Sequence, residues 1–235
     1  MKEAIILAGG FGTRLKYIVS DVPKPMAPVN GVPFLSHLFQ KLRQAGVKRI
    51  ILSTGYLHEK IESFYGNKFE DLSLIYSQET TPLGTGGAIL LALGKAIADD
   101  VLVLNGDTMF DIDFDQFGKS HSDKKSILTV ALREVEDAAR YGSVVIDGRG
   151  KIVSFKEKSQ AAGRGLINGG IYLLNKKWFE KLNLPKKFSF EKEVLEIKYA
   201  DNDFYTQSFN SYFIDIGVPE DYARAQKELK QPENK

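Results

Sequence analysis

Residues 4–15 read A-I-I-L-A-G-G-F-G-T-R-L, an apolar run followed by three glycines within four positions, a threonine and an arginine. Ala4-Ile5-Ile6-Leu7 is long enough for a strand buried on both faces, as in a parallel sheet. Gly9, Gly10 and Gly12 let the backbone after Ala8 adopt unusual dihedrals and bring N–H groups close to a ligand. With Thr13 and Arg14 closing the loop, the best-matched ligand is a polyphosphate. A second cation follows in V-P-K-P-M, where Pro23 and Pro25 stiffen the backbone around Lys24. The two common phosphate loops are excluded. A Walker loop needs G-x-x-x-x-G-K-[ST], which the chain lacks, and the dinucleotide fingerprint needs a glycine where Leu15 stands.

Bulk properties narrow the classes without choosing among them. The chain has 235 residues, 43% of them hydrophobic, enough to bury a full core as one domain. Its 32 basic and 30 acidic side chains nearly balance, so neither a nucleic-acid surface nor a membrane surface is expected. There is no cysteine, which removes disulfides and thiolate metal sites and agrees with a cytoplasmic protein. No run approaches the roughly 20 apolar residues of a membrane span, and the opening strand leaves no room for a signal peptide.

Working outward, Leu35, Leu38, Phe39 and Leu42 recur at helical spacing, with Gly46 as the stop. Ile50-Ile51-Leu52 is a second buried strand, and residues 57–65 predict a short helix with Leu57, Ile61, Phe64 and Tyr65 inward. Leu74-Ile75-Tyr76 forms a third strand running into Gln78-Glu79. P-L-G-T-G-G-A (82–88) then opens a helix expected to reach Ala98, and Val101-Leu102-Val103-Leu104 delivers Asn105-Gly106-Asp107. This alternation predicts an α/β, doubly wound, mostly parallel sheet, whose ligands collect beyond the carboxyl ends of the strands. After residue 110 strands predominate, around 127–132, 143–146, 153–155 and 167–174, with little helix between them. No linker intervenes, so residues 1–235 are expected to form a single domain. Within it, 1–110 is a nucleotide-binding half and 111–235 a β-rich acceptor half.

Asp107 and Asp215 each end an apolar strand at a turn. If they converge, they make an oxygen site suited to Mg²⁺, which takes one or two carboxylates plus phosphate oxygens. Taken alone, K-E-K at 156–158 reads as a solvated face, and His37, His58 and His121 share no metal-ligand spacing.

L-A-G-G-F-G-T-R-L together with K-P-M resembles the sugar nucleotidyltransferase family, and the likeness extends in order from Ala4 to Ala225. It implies transfer of a nucleotide from an NTP to a sugar 1-phosphate, for surface polysaccharide synthesis. Under the resemblance, Asp107 and Asp215 bind the metal, with Mg²⁺ as cofactor. Arg14, Lys24 and Asp107 carry catalysis. Leu7, Ala8, Gly9, Gly10, Gly12, Thr13, Arg14, Lys24, Gln78, Glu79, Pro82, Gly84 and Thr85 belong to the nucleotide site. Glu157 takes the sugar hydroxyls and Lys158 the sugar phosphate, while Asn105, Tyr141, Gly142, Asn168 and Gly169 touch the acceptor. Ser159 stands where many relatives have proline. Relatives often self-associate, so a homo-oligomer is expected.

Glu79 lies where the resemblance puts the base pocket. A carboxylate only accepts hydrogen bonds, and guanine offers adjacent N1–H and N2 donors, whereas uracil and thymine offer one donor between two carbonyls. GTP is therefore the expected nucleotide. A manno-configured heptose 1-phosphate is the acceptor the likeness implies, with mannose 1-phosphate second. Two other classes stay open: a molybdopterin-type guanylyltransferase, against which Glu157-Lys158 and Asn168-Gly169-Gly170 argue, and a non-catalytic nucleotide-sensing paralogue.

Overall fold

A computed structural model of the chain describes residues 2–10, 15, 17, 19, 21–139, 141–157 and 163–231. Strand and helix alternate at first: β1 (Glu3–Ala8), the hairpin β2 (Pro28–Val29) and β3 (Val32–Pro33), α1 (Phe34–Gln44), β4 (Arg49–Thr54), α2 (His58–Tyr65), β5 (Lys68–Phe69), β6 (Leu72–Gln78), α3 (Gly84–Leu93) and β7 (Asp100–Asn105). Strands then dominate. They are β8 (Thr108–Phe110), β9 (Leu128–Val135), β10 (Ser143–Ile146), β11 (Ile152–Lys156), β12 (Gly165–Asn175), β13 (Phe204–Phe209) and β14 (Phe213–Asp215). Among them lie α4 (Phe114–Asp123), α5 (Lys176–Glu180) and α6 (Glu196–Lys198), and α7 (Pro219–Glu228) follows β14.

The strands β7, β1, β4 and β6 lie side by side and parallel, with β1 central. Alternation along β1 shows why its run is wholly apolar. Ala4, Ile6 and Ala8 join the core beneath α1, with Phe34, Leu38 and Phe39, whereas Ile5 joins the core beneath α3, with Ile89 and Leu93. Both faces are covered, so the positions from Ala4 to Ala8 are all apolar, and the one charged residue, Glu3, stands at the first position of the strand.

The second half continues the same sheet. β12 runs antiparallel to β7, with Ile171 opposite Leu104, pairs with β9, and pairs directly with β10 through Leu166 and Ile167. β11 follows β10, and a bridge from Lys151 to Tyr205 of β13 curls the sheet back on itself. Among the described residues no helix is long and apolar enough to cross a membrane.

Three local expectations need correction. α3 stops at Leu93, not Ala98, because the buried Glu3 carboxylate takes the amides of Ile97 and Ala98 at 2.9 and 3.0 Å, pulling them out of the helix ladder. Phe64 is 60% exposed and faces solvent, since Ile61 and Tyr65 suffice to seat α2. α4 was not anticipated, although D-F-D-Q carries its start signal: the Asp113 carboxylate accepts from the Gln116 amide at 2.9 Å.

Candidate active site

A cavity of about 640 Å³ opens beyond the carboxyl ends of β1, β4, β6 and β7. Leu7, Gly9 and Gly10 wall it from β1, Ser53 and Gly55 from β4, and Glu79 from β6. Asn105 and Asp107 enter from β7. The N-G-D turn must carry glycine: Gly106 donates to the Leu7 carbonyl at 2.9 Å, and a Cβ on it would stand 2.5 Å from that oxygen. Ala8, by contrast, is buried in the core.

The two aspartates converge. β14 lies antiparallel to β8 with Asp215 opposite Thr108, and the Ile216 amide donates to the Asp107 carbonyl at 3.0 Å. Lys24 Nζ reaches both carboxylates, Asp107 Oδ2 at 2.5 Å and Asp215 Oδ1 at 3.4 Å. Its side chain is only 10% exposed, on the short 3₁₀ turn Lys24–Met26 whose prolines the sequence singled out. Asp215 also accepts from the Gly217 amide at 2.7 Å. Burial, and then the nearby Asp107 charge, push the Asp215 carboxyl above the usual range against the pull of Lys24. Among the described residues no group of three or more acidic or histidine side chains forms a closed metal cage. Two carboxylates converging on one cationic atom are nonetheless the donor set a hard divalent ion takes when phosphates supply the rest, so the residues fit the metal that the family resemblance implies.

On the nucleotide side, Glu79 accepts the Leu83 amide at 2.8 Å through Oε2. A Cβ on Gly9 would stand 2.6 Å from Oε1 and 3.3 Å from the Gly55 backbone nitrogen, so position 9 sits close against the ends of β4 and β6. Burial pushes the Glu79 carboxyl up, and the Leu83 amide partly offsets this. Gln78 is not brought in: its amide pairs with His58 Nε2 at 2.7 Å, and it is not on the cavity wall. Pro82, Gly84 and Thr85 do line the wall. The glycines here answer a different need from the one expected. Cβ atoms on Gly84, Gly86 and Gly87 would come within 2.5, 2.1 and 2.2 Å of Phe188 O, the Phe188 ring and Lys186 O. The α3 amides of Gly86 and Gly87 are taken by the Phe188 carbonyl at 3.0 and 3.4 Å.

On the acceptor side, a Cβ on Gly142 would lie 3.1 Å from Glu157 Oε2, so these two come together as expected. The Asn168 amide donates to the Gly142 carbonyl at 2.9 Å, and its side chain is held by the Tyr172 hydroxyl at 2.7 Å and the Gly170 amide at 3.0 Å. Gly169 is packed under Phe110, and a Cβ there would stand 2.6 Å from the ring. Tyr141 stacks edge-on against Phe213 and borders a second, polar hollow with Arg133 and Arg224. Gly12, Thr13, Arg14 and Lys158 lie outside the described residues.

Several wall residues escaped the sequence reading, Ser53 and Glu191 among them. Ser53 is fully buried with its hydroxyl unpartnered, and Glu191 reaches the wall from the segment before α6. Neither carries a local signal, because S-T-G reads as an ordinary strand end and S-F-E-K-E as a solvated turn.

Residues 3–232 match the family model described as nucleotidyl transferase. The chain is 47% identical over 229 residues to D-glycero-alpha-D-manno-heptose 1-phosphate guanylyltransferase of Aneurinibacillus thermoaerophilus, covering 97% of this chain and 98% of the relative. Mannose-1-phosphate guanylyltransferase of Mycobacterium tuberculosis is 34% identical over 97% of this chain but 64% of its own length. Among solved structures, HddC from Yersinia pseudotuberculosis complexed with GMP-PN superposes with a TM-score of 0.86, at 40% identity over 98% of this chain and 100% of that one.

Proposed function

This chain belongs to the nucleotidyl transferase family, and we propose that it joins GTP to D-glycero-α-D-manno-heptose 1-phosphate, giving the GDP-sugar and pyrophosphate. The observation that carries this reading is the convergence of Asp107, Asp215 and Lys24 beside the cavity that Glu79 walls, with Gly170 of the Asn168 turn packed close to Asn105 of the same wall. An oxygen of the acceptor phosphate attacks the α-phosphorus of GTP, and the bond from that phosphorus to the departing pyrophosphate breaks. The acceptor phosphate is already ionised at neutral pH, so no general base is needed. The chain's work is to align two anions and offset their repulsion.

Asp107 and Asp215 are the residues to hold Mg²⁺, which supplies charge neutralisation at the reacting phosphates when bound. Lys24, released from one carboxylate, is free to meet charge growing at the α-phosphate, and Arg14 and Lys158 hold the triphosphate and the acceptor phosphate. Glu79 faces guanine with acceptor oxygens only. Glu157 and the Asn168 turn hold the sugar. A cytoplasmic setting, where GTP is available, suits a chain without cysteine.

The test crosses four NTPs with heptose, mannose and glucose 1-phosphates and detects the nucleotide sugar. GTP with the heptose phosphate should give the highest kcat/KM, with at least about a tenfold preference over UTP, and Glu79→Gln should erode that preference. Preference for UTP or dTTP with glucose 1-phosphate would overturn both the base and the sugar assignments.

A further inference from the structure

The cavity wall contains a carboxylate that phosphate transfer does not use. Between Asp107 and Gly217, Glu191 is the one described residue on that wall. Its place is built with care. Gly84, Gly86 and Gly87 give up side chains so that the Lys186–Phe188 segment can press against the start of α3. Thr85 Oγ1 then donates to Glu191 Oε2 at 2.6 Å and accepts the Phe190 amide at 2.9 Å. Ser189 Oγ donates to the same Oε2 at 2.9 Å. One carboxylate oxygen is thus held by two hydroxyls, while no described group donates to Oε1.

Away from the aspartates proposed to hold the metal, an anion on the wall of a site for two phosphorylated substrates is best matched to an uncharged part of one of them, since opposite a bare phosphate it would repel. An oxygen that only accepts is matched there by a hydroxyl. Two sources offer hydroxyls, the acceptor sugar and the ribose of the nucleotide. Position favours the sugar. Phe190, the residue before Glu191, packs edge-on against the Tyr172 ring at 4.9 Å, the Tyr172 hydroxyl takes the Asn168 side chain at 2.7 Å, and the Glu157 amide donates to Glu196 Oε1 at 2.5 Å. The segment that carries Glu191 therefore lies against the Asn168 and Glu157 side of the site.

We propose that Glu191 is a specificity-determining residue for the acceptor, its Oε1 accepting a hydrogen bond from a ring hydroxyl of the sugar 1-phosphate. This rests on the guanylyltransferase reading above. Thr85 and Ser189 are positioning residues that aim it.

The experiment uses the full chain as wild type, Glu191→Gln, Glu191→Ala and Thr85→Val. It measures kcat and KM for the heptose phosphate, GTP affinity by calorimetry, and melting temperature. Glu191→Gln should raise the acceptor KM about 3- to 10-fold and Glu191→Ala about 10- to 100-fold, with GTP affinity within about twofold of wild type. Thr85→Val, which keeps the carboxylate but loosens it, should raise the same KM by a smaller factor. Weakened GTP binding with an unchanged acceptor KM would place the carboxylate on the ribose and overturn the proposal. A lower melting temperature with both substrates unaffected would make Glu191 a structural clasp and also overturn it. Wild-type protein inactive with GTP and every sugar phosphate would overturn the functional reading as well, whereas active wild type with an unaltered Glu191→Ala acceptor KM would overturn this proposal alone.

Discussion

Asp107 and Asp215 repel one another across the Lys24 ammonium, and folding holds them there. The Asp215 carboxyl is raised in the folded protein above its value in the unfolded chain. In the pH window between the two values the folded state binds more protons, so stability falls as pH rises through it, and the loss persists at neutral pH. Asp215→Asn removes that cost and leaves Lys24 paired with Asp107. The melting temperature of the substrate-free variant at neutral pH should equal or exceed that of wild type, and the difference should close as pH drops below the window. Under the proposed role of both aspartates in holding the metal against the phosphates, turnover should fall by roughly 10² to 10⁴ for Asp215→Asn and for Asp107→Asn. Wild-type turnover in either variant at limiting Mg²⁺ would remove that aspartate from the mechanism.

At the scale of elements, α3 inverts the usual rule for glycine. Exchanging glycine for alanine inside a helix commonly stabilises by about 0.5–1 kcal/mol. At Gly87 the added Cβ would meet the Lys186 carbonyl oxygen at 2.2 Å, and backbone cannot swing aside. Gly87→Ala should therefore destabilise by about 1–3 kcal/mol in urea unfolding. Gly94→Ala, at the end of the same helix with φ −60° and its nearest contact at 3.3 Å, should be close to neutral. Equal stabilities for the two variants would mean that the Lys186–Phe188 segment does not brace α3. The glycines of 82–88 were visible in the sequence as a turn before a helix. Their reason was not, because Phe188 lies a hundred residues away and only the packing of α3 against that segment brings it close.

At the scale of the whole molecule, the question is whether the two halves fold as one. β12 joins β7 along Ile171–Asn175, placing a second-half strand beside the parallel core. The single tryptophan, Trp178, sits at the far end of that strand, packed edge-on against Phe204 with its Nε1 donating to Asn202 at 3.2 Å. Its fluorescence reports the second half, while far-UV circular dichroism draws on the helices of both halves, α1 to α3 and α4 to α7. The two signals should trace one coincident denaturant transition. Separated midpoints would divide the chain into two independently folding units.

The sequence by itself determined the winding of the first half, because buried parallel strands demand unbroken apolar runs and helices a 3.6-residue period, both local patterns. It also determined where the cavity opens, since Gly9, Gly10, Glu79 and Asp107 all follow such runs and a parallel sheet presents those ends together. Only the tertiary structure decided which of these groups meet. Asp215 reaches Asp107 through the pairing of β14 with β8, α3 ends where the Glu3 carboxylate captures Ile97 and Ala98, and Gln78 turns to His58 rather than into the cavity. Glu191 came into view only there. Local pattern specifies backbone period and turn shape, whereas a contact between distant residues depends on strand register and on which segments pack, and no short stretch of chain encodes that.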